Sequence, residues 1–258
     1  MLSTSYRPGA PVWLDLASPD VPASAGFYGT LFGWTHPADG YGLFRLGDRT
    51  VAALGPLPEP DAPPGWTLSF ATADADRTAD LVRRAGGRVR TGPYDVLGAG
   101  RTATCTDPTG AGFALWQPHD VRGLDVVDEP GSLCWTECYS VDAQRAKAFY
   151  RTVLDWQEYD IPLAGLTLTV LTPAGGGSDD AHGDLVQLGP EQTARGTRSH
   201  WLPYLEVTDV DSLLATAEAL GATVRVPAMD VPGMGRLAQL QDPHGAVFAV
   251  ITSERPGA

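Results

Sequence analysis

Short runs of alternating apolar and polar residues fill most of this chain, and a few stretches of helical spacing interrupt them. Strict alternation marks a half-buried strand, whereas apolar recurrence three to four residues apart marks a helix. VWLDLA (12–17) reads as a strand, Pro19-Asp20 punctuates it, and Ala23 to Phe32 has helical spacing. LFRLG and TVAALG follow as strands, with a Pro-rich turn at 56–65. WTLSFAT is the next strand. ADRTADLVRRAG then reads as an amphipathic helix closed by Gly86-Gly87, and RVRTGPYDV, GRTATCTD and GFALWQ are strands.

The same order of elements returns in the second half, with DVDSLLATAEALG as its later helix. Residue identities repeat as well. Trp13 matches Trp135, Asp15 matches Glu137, Asp20 matches Asp142, Phe27-Tyr28 matches Phe149-Tyr150, and Trp34 matches Trp156, always 122 residues apart. A second set lies 135 apart. It pairs Trp66 with Trp201, Asp74 with Asp209, Asp76 with Asp211, Asp95-Val96 with Asp230-Val231, Gly100-Arg101 with Gly235-Arg236, and Asp107-Pro108 with Asp242-Pro243. Chance does not hold one offset over so many identities, so the chain is an internal duplication. The two offsets differ by 13 residues, and TPAGGGSDDAHGD (172–184) has the composition of a surface loop inserted in the second copy. Its Gly175-Gly176-Gly177 lacks the setting of a phosphate loop and reads as a flexible linker, placed to close as a lid. The expected domains are 9–119 and 131–253, joined by DVRGLDVVDEPG. The fold class is α+β: two tandem domains, each of two βαβββ units forming a cupped mixed sheet with helices outside.

Composition narrows the partners. The chain has 258 residues, 43% of them hydrophobic, and a net charge of −13. An acidic surface repels phosphate backbones, so no nucleic acid is expected. No apolar run is long enough to span a membrane, and the first residues lack a signal-peptide layout. Three cysteines, Cys105, Cys134 and Cys138, are too few for a disulfide scaffold, which suits a reducing cytoplasm.

The residues Phe27-Tyr28 before Leu31-Phe32-Gly33-Trp34, Phe149-Tyr150 before Leu154-Asp155-Trp156, and the turns Asp107-Pro108-Thr109-Gly110 and Asp242-Pro243-His244-Gly245 resemble the vicinal oxygen chelate superfamily. That group holds the glyoxalases, the bleomycin-resistance proteins and the extradiol dioxygenases, and the resemblance is nearest to its tandem-domain actinobacterial glyoxalase-like members. It covers nearly the whole chain. It implies cupped sheets and, in the metal-dependent members, a divalent ion held by His, Gln or Glu. Counted from the Tyr of Phe-Tyr and from the two Asp landmarks, the family's ligand slots fall on Trp13, Thr67 and Ala114, and on Trp135, Leu202 and Ala249. None is a good ligand, so neither a metal nor another cofactor is expected.

Strand alternation says what lines the cups instead. Trp13 and Asp15 share a face, as do Thr67 with Ser69 and Ala114 with Trp116; in the second copy Trp135, Glu137 and Tyr139 share one, and Tyr204 shares another with Glu206. Aromatic walls with isolated polar groups describe a small-molecule pocket. The leading reading is a metal-independent protein that sequesters or tailors an aromatic or polyketide-like metabolite. Its ligand-binding residues would be Trp13, Asp15, Thr67, Ser69, Trp116, Trp135, Tyr139 and Tyr204. The alternatives are a metal-free cyclase, isomerase or lyase using Glu137 or Glu206 as acid and base, a metalloenzyme with displaced ligands such as His200, and a scaffold whose tryptophans plug the cups. His36 and His182 read as solvated loop residues, and Cys134 and Cys138 as buried thiols facing away from the cup. A monomer or a homodimer fits.

Overall fold

The computed structural model describes residues 2–37, 40–163 and 166–254. The first copy runs β1 (Pro11–Ser18), α1 (Val21–Phe32), β2 (Gly42–Leu46), β3 (Arg49–Pro56), β4 (Gly65–Ala71), α2 (Ala75–Arg84), β5 (Arg88–Val96), β6 (Gly100–Thr106) and β7 (Gly112–Pro118). The second runs β8 (Leu133–Ser140), α3 (Ala143–Leu154), β9 (Gln157–Leu163), β10 (Leu166–Thr172), β11 (Gly183–Gln187), a short α4 (Pro190–Ala194), β12 (His200–Glu206), α5 (Val210–Ala219), β13 (Thr223–Val231), β14 (Gly235–Gln241) and β15 (Val247–Ser253). The fold is α+β, with two mixed sheets. One has strand order β2-β3-β1-β4-β7-β6-β5, and the other β13-β14-β15-β12-β8-β11-β10-β9.

The repeated aspartates explain where the helices begin. Asp20, Asp74, Asp142 and Asp209 are N-caps, and each carboxylate accepts the backbone N–H three residues on, from Ala23, Arg77, Arg145 and Ser212 at 2.9–3.0 Å. A cap satisfies a donor that the helix leaves without a partner. Gly33 ends α1 in the left-handed region, and Asp155 takes the same conformation after α3.

By compactness the chain divides into two units. One comprises Met1–Trp13, Thr67–Gly123 and Trp135–Leu202, and the other Leu14–Trp66, Leu124–Cys134 and Pro203–Ala258. Each therefore joins the first half of one copy to the second half of the other. In the first unit α2 packs on β5, β6 and β7, and α3 on β11; in the second, α5 packs on β13, β14 and β15, and α1 on β3.

An aromatic core with one buried hydrogen-bond relay repeats in both units. In the first, the Trp201 indole donates to the Tyr150 hydroxyl (2.8 Å), which donates to Asp107 Oδ2 (3.1 Å). In the second, Trp66 donates to Tyr28 (3.2 Å), which donates to Asp242 Oδ2 (2.9 Å). The other oxygen of each aspartate is spent on its own turn. Asp107 Oδ1 accepts the backbone N–H groups of Thr109, Gly110 and Ala111, and Asp242 Oδ1 those of His244, Gly245 and Ala246. Trp, Tyr, Asp and the Asp-Pro-x-Gly turn thus recur because together they leave no buried polar atom of the relay unsatisfied.

Two expectations need correction. The stretch 172–184 is not wholly a surface loop. Gly183 and Asp184 open β11, which runs parallel to β8 with Asp184 opposite Glu137. His182, expected in solvent, is 1% exposed, its ring packed on Trp156 at 4.8 Å. His36 is half-buried and lies on Phe44 at 5.2 Å.

Candidate functional site

What the two copies share is framework, so the chemistry is to be sought where they differ. On β1 the residues Val12, Leu14 and Leu16 are buried against the core, while Trp13 and Asp15 occupy the opposite face. In the first unit Trp13 lies parallel to Trp116 on β7, with ring centroids 6.0 Å apart and 14° between planes. Both are 7% exposed, and Trp116 donates its indole N–H to Val121 O (3.0 Å). Ser69 is buried opposite Ala114, and Thr67, two residues earlier on β4, is half-buried. In the second unit Asp15 accepts the Tyr41 hydroxyl at 3.1 Å.

At the corresponding place the second copy carries a different arrangement. Strand β8 turns Cys134, Thr136 and Cys138 to one face and Trp135, Glu137 and Tyr139 to the other. The Trp135 indole donates to Asp184 Oδ2 at 3.0 Å. Asp184 is the register partner of Glu137, and the two carboxyls interact. Asp184 is 1% exposed and Glu137 9%. Burial first, and then the neighbouring Glu137 charge, push the Asp184 carboxyl well above the usual carboxylate range, against the downward pull of the Trp135 bond. Both causes favour the neutral form of Asp184. Among the described residues Asp184 Oδ1 has no hydrogen-bond donor in normal geometry, and the Glu137 carboxyl is its near neighbour. Two residues further along β8, Tyr139 stacks on the His200 imidazole, 5.1 Å away and 12° from parallel. Trp135, Glu137, Asp184, Tyr139 and His200 all belong to the first unit.

Tyr204 and Glu206 lie in the second unit, both buried. Glu206 Oε1 accepts the Ser253 N–H (3.0 Å) and Oε2 the Ser253 hydroxyl (2.5 Å), so both of its oxygens are engaged at the end of β15. Cys134 and Cys138 are free, buried thiols, and burial raises both above the ordinary thiol value.

The family's metal does not fit these residues. The slots Trp13, Thr67, Ala114, Trp135, Leu202 and Ala249 supply two indoles, one hydroxyl and hydrocarbon, not imidazole, thiolate or carboxylate. Among the described residues no three His, Cys, Asp or Glu side chains group as metal ligands.

Sequence reasoning missed Asp184, because its run of Gly, Ser and Asp looks like a loop. The signal was there in GDLVQ, whose Leu185 and Val186 resume a strand pattern directly after it.

Comparison with known proteins agrees with this fold. Residues 11–115 match the Glyoxalase/Bleomycin resistance protein/Dioxygenase superfamily, and residues 135–251 match a glyoxalase-like domain. The anthracycline biosynthesis protein DauV of Streptomyces sp. (strain C5) is 39% identical over 96% of this chain and 94% of its own. DnrV of Streptomyces peucetius, also named an anthracycline biosynthesis protein, is 38% identical over the same shares. The Mn(II)-bound glyoxalase from Novosphingobium aromaticivorans shares the fold at a TM-score of 0.61, with 15% identity over 95% of this chain and 82% of that one. The chain belongs to the glyoxalase/bleomycin resistance/dioxygenase superfamily, as a tandem glyoxalase-like protein of the vicinal oxygen chelate fold.

Proposed function

We propose that this protein takes a polycyclic aromatic metabolite of secondary metabolism, an anthracycline-type polyketide, on the Trp135–Tyr139 face of β8, and that it does so without a metal. The observation that carries the reading is the divergence at one place in the repeat. Where the first copy closes its face with the Trp13–Trp116 stack, the second sets the buried acid pair Glu137–Asp184 among Trp135, Tyr139 and His200. Flat aromatic walls suit a flat aromatic ligand, and one buried polar group among them fixes its orientation. The names of the two Streptomyces relatives support the same ligand class. Titration of an anthraquinone-type compound against tryptophan fluorescence tests the reading. Saturable binding is expected, abolished or weakened at least about tenfold in Trp135→Leu, since a buried aromatic anchor contributes of order 1–2 kcal/mol or more. Absence of saturable binding would overturn it.

The acid pair favours a second reading, a metal-free tailoring enzyme with Glu137 as the acid or base. In that case Glu137→Gln loses turnover by about 10²–10⁴-fold while still binding. A protein that only sequesters its ligand shows stoichiometric binding and no product.

A further inference from the structure

The chain carries 31 acidic against 18 basic residues, yet the run LVRRAGGRVRTGPY (81–94) holds four arginines and no acid. The end of α2 accounts for two of them. Cations in a last helical turn meet its free carbonyls, and Arg83 also bonds Asp80 at 2.7 Å. It does not account for Arg88 and Arg90, which lie beyond the helix on β5. Both are exposed, and among the described residues neither makes an ion pair or a side-chain hydrogen bond. They line a surface groove of about 570 Å³ between the Gly86-Gly87 turn and the Asp107–Gly110 turn, with Thr106 on its wall. All of these residues lie in the first unit. The acid that lines the groove, Asp107, is buried, and both its oxygens are engaged within the protein, Oδ1 by its own turn and Oδ2 by Tyr150.

The second copy shows that this charge is not part of the repeated framework. At the 135-residue offset, Glu218, Ala219 and Thr223 stand where the first copy has Arg83, Arg84 and Arg88. Arg225 matches Arg90, and the register of β13 with β14 shifts there as that of β5 with β6 shifts at Arg90. Arg225, however, bonds Gln241 Oε1 at 3.2 Å, and Gln241 stands where the first copy has Thr106. The first copy thus keeps two guanidinium groups without a partner beside a groove, and the second does not.

We propose that the Arg88–Arg90 groove binds a small phosphate-bearing molecule, at a site that shares no residue with the Trp135–Tyr139 face. A carboxylate offers two oxygens, which one guanidinium fork satisfies; a phosphoryl group brings three terminal oxygens and close to two charges, enough for two guanidinium groups at once. The groove has the volume of a small-molecule site. A net charge of −13 repels long polyanions, which favours a small soluble ligand over a nucleic acid or an anionic membrane.

Calorimetric titration of the full-length protein with inorganic pyrophosphate, at a constant ionic strength of about 0.15 M, tests the proposal. Saturable binding is expected, weakened about tenfold or more in the double variant Arg88→Gln, Arg90→Gln. Both side chains are exposed and unbonded, so the double variant keeps the wild-type Tm. Arg225→Gln in the second copy should bind pyrophosphate as the wild type does. Malonate, with two carboxylates in place of two phosphoryl groups, should bind more weakly than pyrophosphate. Absence of saturable binding, unchanged affinity in the double variant, an equal loss in Arg225→Gln, or malonate bound as tightly as pyrophosphate overturns the proposal. Retention on phosphatidylglycerol vesicles without pyrophosphate binding overturns it too, in favour of a membrane surface.

Discussion

Two buried residues of one short segment respond to pH in opposite senses. His182 is wholly buried, and burial pulls its imidazole down to about 3. The unfolded chain takes up a proton near pH 6.5 that the folded chain refuses, so stability falls as pH drops from about 6.5 towards 3. The expected slope for this residue is about 1.4 kcal/mol for each pH unit in that window. Urea unfolding of wild type and His182→Phe at near-neutral pH and again about two units lower checks it, since the variant should lose much less stability between them. Asp184 works the other way. Its folded value is raised, so its contribution is fully present below the unfolded value of about 3.9 and is lost as pH rises through the folded value. Asp184→Asn should therefore gain stability relative to wild type as pH rises, visible as a growing difference in Tm. No such gain at pH 8 would mean that the carboxyl is not held protonated.

At the scale of elements, the duplicated residues sort by burial. Asp76, Asp95 and Arg101 form a fork at the surface, with Arg101 Nε 2.7 Å from Asp76 and Nη1 3.2 Å from Asp95. Asp211, Asp230 and Arg236 repeat it at 2.8 and 3.1 Å. These ions keep access to water and are screened by it, so Arg101→Ala should change stability little. The Trp–Tyr–Asp relays are buried, and Tyr150→Phe strips a partner from both Trp201 and Asp107, at a cost of about 1–3 kcal/mol. Denaturant titration of the two variants side by side ranks them, and a larger loss for Arg101→Ala would contradict the ranking. Repeat spacing alone gave these residues equal weight, because it registers identity and is blind to burial. It also hid their partners. Tyr28 bonds Asp242, 214 positions away, and Tyr150 bonds Asp107, so each relay draws on both copies. The repeated aspartates were legible as identities, and the structure shows that they cap the helices, a contact settled within three residues of sequence.

For the molecule as a whole, duplication supplied two versions of one framework, and the two copies diverge at one place in the repeat. The first copy closes its face with Trp13 on Trp116, whereas the second keeps Trp135 half-exposed beside an acid pair. Trp13→Ala should cost about 3–5 kcal/mol of stability, the usual loss for a buried Trp, and leave quinone affinity unchanged in the fraction that folds. Trp135→Phe should weaken binding and, because it strips the indole donor from buried Asp184, also lower stability by about 1–3 kcal/mol. Thermal melts paired with fluorescence titration of both variants read this asymmetry directly. Equal losses of affinity would mean that both copies bind.

The sequence by itself determined the duplication, the α+β class and the family. Each depends on residues close together in the chain or on identities that repeat at a fixed spacing. Counting from the family's landmarks puts poor metal ligands at the expected slots, a reading that needs residue types and no coordinates. Only the tertiary structure decided which carboxyls meet. Asp184 lies 47 residues after Glu137, behind a stretch that reads as loop, and becomes its neighbour because β11 pairs in parallel with β8. The same pairing buries Asp184 and places it beside a second acid, which raises its pKa; burial and proximity are properties of the packed sheet, and no local pattern encodes them.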